Sequence, residues 1–212
     1  EIHGIDYLPG AAELGDFDAT STTVGITPAG ATDILPQRAL HRTFERYWSE
    51  FQARATGAKP WDAYTPYELR TVGTFVRLGQ RERAHEALDW FIGHIRPRGW
   101  NHWAEVVSSE EREPRFLGDM PHGWVSSDFI RSVTDMFVYH DEATGELVLG
   151  AGVLPEWLAM GPVAVRGLHT PFGVVGYRME QNGDAVAIDF EGSSLTPPPA
   201  GIVVRSPLHQ PI

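Results

Sequence analysis

The sequence predicts an α+β fold: antiparallel helical hairpins followed by an antiparallel β-module. Three observations predict it. Between residues 36 and 140, apolar residues recur at helical spacing in four stretches. After His140 the texture changes to short runs rich in Val, Ile and Leu, separated by turn residues. The change divides the chain into a helical region, residues 1–140, and a C-terminal β-region, residues 141–212.

Taken in order, residues 1 to about 36 are rich in Gly, Pro, Ala, Thr and Asp and read as loop with one short helix. From Pro36, the stripe Leu40, Phe44, Tyr47, Trp48 and Phe51 predicts a helix that Gly57 and Pro60 end. Pro66 opens a second, with Leu69, Val72, Gly73, Val76 and Leu78 as its apolar positions. Gly79 caps it, and a third follows at once on Ala84, Leu88, Phe91, Ile92 and Ile95. The two joined at Gly79 form an antiparallel helical hairpin. Residues 98–122 read as a long loop, and a fourth helix is expected from about Ser126, capped by Ser126 or Ser127, to Tyr139. Strands are expected at Glu146–Leu149, Val163–Val165, Val174–Tyr177, Ala185–Phe190 and Ile202–Arg205, with turns at Asp141–Gly145 and Asn182–Asp184. Their spacing is that of a sandwich.

Composition narrows the function classes. The 212 residues carry 17 basic and 28 acidic side chains, a formal net charge of −11. Nucleic-acid binding asks for a basic stripe, and none is present. An acidic surface also disfavours anionic lipid, and no apolar run approaches a membrane span. With no cysteine, thiolate metal sites and cysteine nucleophiles are excluded. The nine histidines show neither HExxH nor a paired spacing, so no metal and no cofactor is expected. GxSxG, phosphate-loop and dinucleotide patterns are absent as well. The chain opens on Glu1 rather than Met and reads as a processed chain or a fragment, with a secreted or periplasmic location favoured over a cytoplasmic one.

The candidate chemistry lies on loops. Trp100, Asn101, His102, Trp103 and Glu105 come after a helix end and combine indoles, an amide and a carboxylate. Indole faces stack on the apolar faces of sugar rings, amides and carboxylates bond hydroxyls, and a carboxylate can act as general base on water. The alternative is that Trp100 and Trp103 plug the helical pair, with Glu105 a surface group. Asp16 and Asp18 suit hydroxyl recognition, or else an Asx-turn and a helix cap. They do not begin a calcium loop, because the place of its twelfth-position glutamate is taken by Thr27. Tyr64 or Tyr67 could face a cleft, while Glu68 suits a helix first turn. Asp119, His122 and Trp124 converge before the fourth helix.

This order of features resembles the C-terminal part of six-hairpin, (α/α)6-barrel glycoside hydrolases of the α-rhamnosidase-like or glucoamylase-like kind. The resemblance is carried by Trp103–Ala104–Glu105, by Pro121–His122–Gly123–Trp124, and by the run from Leu147–Val148–Leu149 through Gly152–Val153–Leu154–Pro155–Glu156–Trp157–Leu158 and Val165–Arg166–Gly167–Leu168 to Thr170–Pro171–Phe172–Gly173. It implies a partial (α/α)6 toroid followed by a β-sandwich, a carbohydrate substrate, and Glu105 as the catalytic base. Tyr64, Trp100, His102, Trp103, Asp119, His122 and Trp124 would bind substrate, with Asp16 or Asp18 on an adjacent loop. It also implies that the general acid lies in helices this chain lacks, so that a second chain or an N-terminal part, or self-association, completes the barrel. Two further readings stand beside it: a non-catalytic carbohydrate-binding or structural module, and a phosphorylase using Arg115, His122 and Ser126.

Overall fold

The computed structural model describes residues 3–112, 119–191 and 194–208 and has a mixed α and β fold. Helix α1 (Ala19–Ile26) begins at Asp18, whose carboxylate accepts the Ser21 N–H at 3.1 Å. Helix α2 (Gln37–Ala55) buries Leu40, Thr43, Phe44, Tyr47 and Phe51, one stripe at helical spacing. Strand β1 (Ala63–Tyr64) and a 3-10 turn (Pro66–Glu68) lead into α3 (Leu69–Arg77). Helix α3 is buried nearly all round and is the centre of the helical region. It ends in a Schellman motif: Gly79, at φ 74°, donates to Val76 O, and Gln80 donates to Phe75 O at 2.8 Å. The chain reverses there into α4 (Arg81–Gly93), completing the expected hairpin.

Strand β2 (Val107–Ser108) pairs with β1. Helix α5 (Gly123–Phe137) starts three residues before Ser126, with His122 as its N-cap residue, so neither Ser126 nor Ser127 caps it. Instead Ser126 Oγ donates to His122 O at 3.1 Å, within the first turn. Helices α3 and α5 run side by side in the same direction. Gly73 lets them approach: a Cβ there would lie 3.3 Å from the Ser132 Cα. Above and below that contact, Arg70 pairs with Asp128 and Arg77 with Asp135, each at 2.7 Å. Burial pushes both aspartates above the usual carboxylate value, and the arginines oppose the shift. Arg77 also reaches Glu142 at 2.8 Å and lies over the Tyr139 ring, tying the helices to the first β-hairpin.

Strand β3 (Val138–Asp141) continues directly from α5 and forms that hairpin with β4 (Glu146–Leu149). After β4 comes a short helix, α6 (Pro155–Met160). Strands β5 (Val163–Thr170), β6 (Gly173–Asn182) and β7 (Ala185–Phe190) form an antiparallel sheet, with the two-residue β8 (Ser194–Leu195) also on β6. Strand β9 (Ile202–Val204) joins β4 in parallel, so the β-region is not purely antiparallel. Between these two sheets, Val138, Leu147, Leu149, Val175, Tyr177 and Met179 form one hydrophobic cluster, and the helices enclose a larger one. The Tyr177 hydroxyl donates to Phe137 O at 2.9 Å, joining the two. Among the described residues no helix is long and apolar enough to cross a membrane.

Candidate functional site

The loop after α4 returns to the molecule through Trp103 and Ala104, both buried. Trp103 packs on Phe129 of α5 with ring centroids 5.2 Å apart, and its carbonyl accepts the His122 N–H at 3.2 Å. That contact brings the start of α5 against the loop. The next residue, Glu105, emerges at the surface. Its N–H donates to Asp119 Oδ2 at 3.3 Å. One side-chain ligand atom from each of Glu105, Asp119 and His122 lies within 4.8 Å of the others. Two of their other neighbours are aromatic. Tyr67 lies 5.7 Å from His122 and 6.2 Å from Trp124, ring to ring. Burial, and then the negative charge of Glu105, push the Tyr67 phenol above its ordinary value, which places that carboxylate near the ring. Trp124, in the first turn of α5, is 67% exposed, and its ring lies 6.4 Å from that of His122.

The cluster is short of partners. Asp119 Oδ1 and His122 Nδ1 are buried atoms with no hydrogen bond among the described residues. Among the described residues Arg70 is paired with Asp128, and Arg98 with Glu111 at 2.6 Å. Groups left in this state cost free energy unless a water, ion or ligand meets them.

The structure separates the remaining sequence candidates. Trp103, 4% exposed, is core and offers no face to a ligand. Tyr64 is equally buried: its hydroxyl donates to His94 O at 3.2 Å, and its ring packs among Trp61, Trp90 and Phe91. Burial pushes its phenol far above the ordinary value. Strand β1 explains the exchange of roles, because Tyr64 faces inward there while Tyr67, three residues on, comes out beside His122. Asp16 closes a loop, its Oδ1 accepting the Ala11 N–H at 2.8 Å. Asp18 is the α1 cap: burial raises its carboxyl, but the Ser21 and Thr20 donors outweigh this and hold it below the usual value. Trp100 (56% exposed) and His102 lie exposed on the loop, and no bond or ring contact joins them to the Glu105 cluster. Arg115, one of the expected phosphate ligands, falls outside the described residues.

A second polar group was not legible as a unit. Glu68, which its sequence position assigns to a helix dipole, is buried and takes three donors: Tyr47 Oη at 2.8 Å, Arg54 Nη1 at 2.9 Å and Arg54 Nη2 at 2.6 Å. Arg54 lies over the Trp90 ring, 4.7 Å from its centroid. Burial, and then the Glu68 charge, push the Tyr47 phenol well above its ordinary value. A cavity of about 450 Å³ opens beside this group, bordered by Asp18, Glu50, Lys59, Trp61 and Thr65. Arginine at a helix end and glutamate fourteen residues on carry no spacing signal that pairs them.

Comparison of the chain with protein-family models, with curated proteins and with solved structures finds no match.

Proposed function

We propose that this chain is the C-terminal portion of a carbohydrate-processing hydrolase in which Glu105 is the general base. The observation that carries the reading is what surrounds Glu105: a carboxylate and an imidazole within 4.8 Å, beside Tyr67 and the exposed face of Trp124. Carboxylates bond sugar hydroxyls, and an exposed indole covers the apolar face of a ring. The acidic composition suits a neutral ligand. In this reading residues 1–140 are closing hairpins of an (α/α)6 toroid, residues 141–212 a β-sandwich module, and a further chain or N-terminal part completes the barrel.

Asp119 is not the acid of an inverting pair. Its carboxylate approaches that of Glu105 within 4.8 Å, whereas inversion needs about 6.5–9.5 Å to admit the water. The acid therefore comes from the completing part. Nitrophenyl glycosides test the base alone, because nitrophenolate leaves without a proton. Across a panel that includes α-rhamnoside and α-glucoside, the chain together with the part that completes the barrel is expected to hydrolyse at least one. Glu105→Gln is expected to lower kcat by about 10²–10⁴ while leaving thermal stability unchanged. A Glu105→Gln protein with full turnover overturns the role of Glu105. Oligosaccharide binding without turnover of any glycoside overturns hydrolysis and favours a binding module.

A further inference from the structure

The Glu105–Asp119–His122 cluster does not need a sugar to satisfy it. Its three donors are two carboxylates and one imidazole, brought within 4.8 Å of one another from two ends of a loop. A tetrahedral ion with bonds of about 2.0–2.2 Å holds its donors about 3.3–3.6 Å apart. Glu105, on the exposed side, can close that difference by side-chain rotation. An independent observation points the same way: Asp119 Oδ1 and His122 Nδ1 are buried and unpartnered among the described residues. Buried polar atoms are almost always met by protein, water or an ion. Among the described residues Arg70 pairs with Asp128, and Arg96 and Arg98 both face Glu111. Two carboxylates together also repel, which a divalent charge reverses.

We infer that Glu105, Asp119 and His122 form a binding site for a divalent transition cation of the Zn²⁺ class. The imidazole donor decides the class: Mg²⁺ and Ca²⁺ take oxygen ligands, whereas mixed nitrogen and carboxylate sets hold Zn²⁺ and its neighbours. Three protein ligands leave a fourth position to water. The positive end of α5, at His122, opposes a cation by about 0.3–1 kcal/mol, a small term against two coordinating carboxylates. The consequence for turnover rests on the role proposed above for Glu105. A carboxylate coordinated to the cation cannot accept a proton from water, so the cation regulates that site by occupying its base.

The test has a binding arm and an activity arm. In the first, Zn²⁺ is titrated calorimetrically into the chelator-treated chain, and Co²⁺ into a second sample for its visible absorption. One equivalent is expected to bind, with an absorption spectrum of low-symmetry, nitrogen- and oxygen-ligated Co²⁺. Asp119→Asn and His122→Gln, each checked for folding by circular dichroism, are expected to lose about 100-fold or more in affinity, as removal of a metal ligand must exceed the 10–100-fold cost of losing an outer-shell partner. His102→Ala, an exposed histidine on the same loop, is expected to bind as the parent does. No binding, or binding that His102→Ala abolishes and Asp119→Asn leaves intact, overturns the site. In the second arm Zn²⁺ is expected to suppress glycoside turnover and a chelator to restore it. Zn²⁺ that binds without slowing turnover overturns the regulation. Failure to bind Zn²⁺ beside a Glu105→Gln loss of turnover sinks this inference alone, and Zn²⁺ binding by a chain that turns over no glycoside sinks the hydrolase reading alone.

Discussion

Two polar groups stand on either side of the 3-10 turn at Pro66–Glu68, and they are built on opposite terms. On one side Glu68 receives three hydrogen bonds from Tyr47 and Arg54, and Arg54 lies over an indole. Only Arg54 Nε in that group is left without a partner among the described residues. On the other side Glu105, Asp119 and His122 share one backbone hydrogen bond at 3.3 Å and leave two buried atoms unmet. A buried charge with its partners in place serves the fold, because removing one partner strands the other. A convergent set of donors with nothing to bond keeps its capacity for a ligand. The sequence places Glu68 in a helix first turn, as found, without showing its partners, and it spreads the ligand site over Tyr64 and Trp103, which are core.

Substitutions that sharpen the contrast begin with Glu68→Ala. It leaves Arg54 charged and buried without its partner and is expected to lower the unfolding free energy by about 3–5 kcal/mol in urea denaturation. The two tryptophans of the site region divide in the same way. Trp103→Ala opens a cavity against Phe129 and is expected to cost about 3 kcal/mol or more by the same measurement. Trp124→Ala, at an exposed position, is expected to stay within about 0.5 kcal/mol of the parent while losing oligosaccharide binding followed by fluorescence. A Trp124→Ala loss as large as that of Trp103→Ala would break the contrast.

A smaller effect is expected at the α1 cap. Asp18→Ala removes the bonds to Ser21 and Thr20 and is expected to cost about 1 kcal/mol near neutral pH. Asp18 is held below the usual carboxylate value in the folded state, so its contribution is present above the unfolded value. It is lost as pH falls through the folded one. The difference between parent and variant should therefore shrink in acid. A difference that grows on acidification would contradict the assigned shift.

The helices were legible because period and punctuation agree: the stripe from Leu40 to Phe51 is the buried face of α2, and Gly79 turns the hairpin as its φ requires. Strands β4 and β7 match the expected Glu146–Leu149 and Ala185–Phe190. The helix at Pro155 and the strand Val138–Asp141 were missed, one for being short and the other because it runs on from α5 without a break in apolar texture. The parallel placement of β9 depends on a partner more than fifty residues away, which no local pattern encodes. At the site, Glu105, Asp119, His122 and Trp124 were readable as polar and aromatic residues on loops beside a helix start. Which aromatic faced outward was not, because the choice between Tyr64 and Tyr67 is made by the pairing of Tyr64 with Val107 across the β1–β2 ladder.

The distinction between the two polar groups is tested most directly by the unfolding free energy, in metal-free buffer, of a Glu105→Gln, Asp119→Asn, His122→Gln triple variant beside Glu68→Gln. If the surface cluster is kept for a ligand rather than for the fold, the triple variant unfolds within about 0.5 kcal/mol of the parent or is more stable, as removal of a strained functional group allows. A triple variant that loses as much stability as Glu68→Gln would show that the cluster holds the structure together, and would contradict the account.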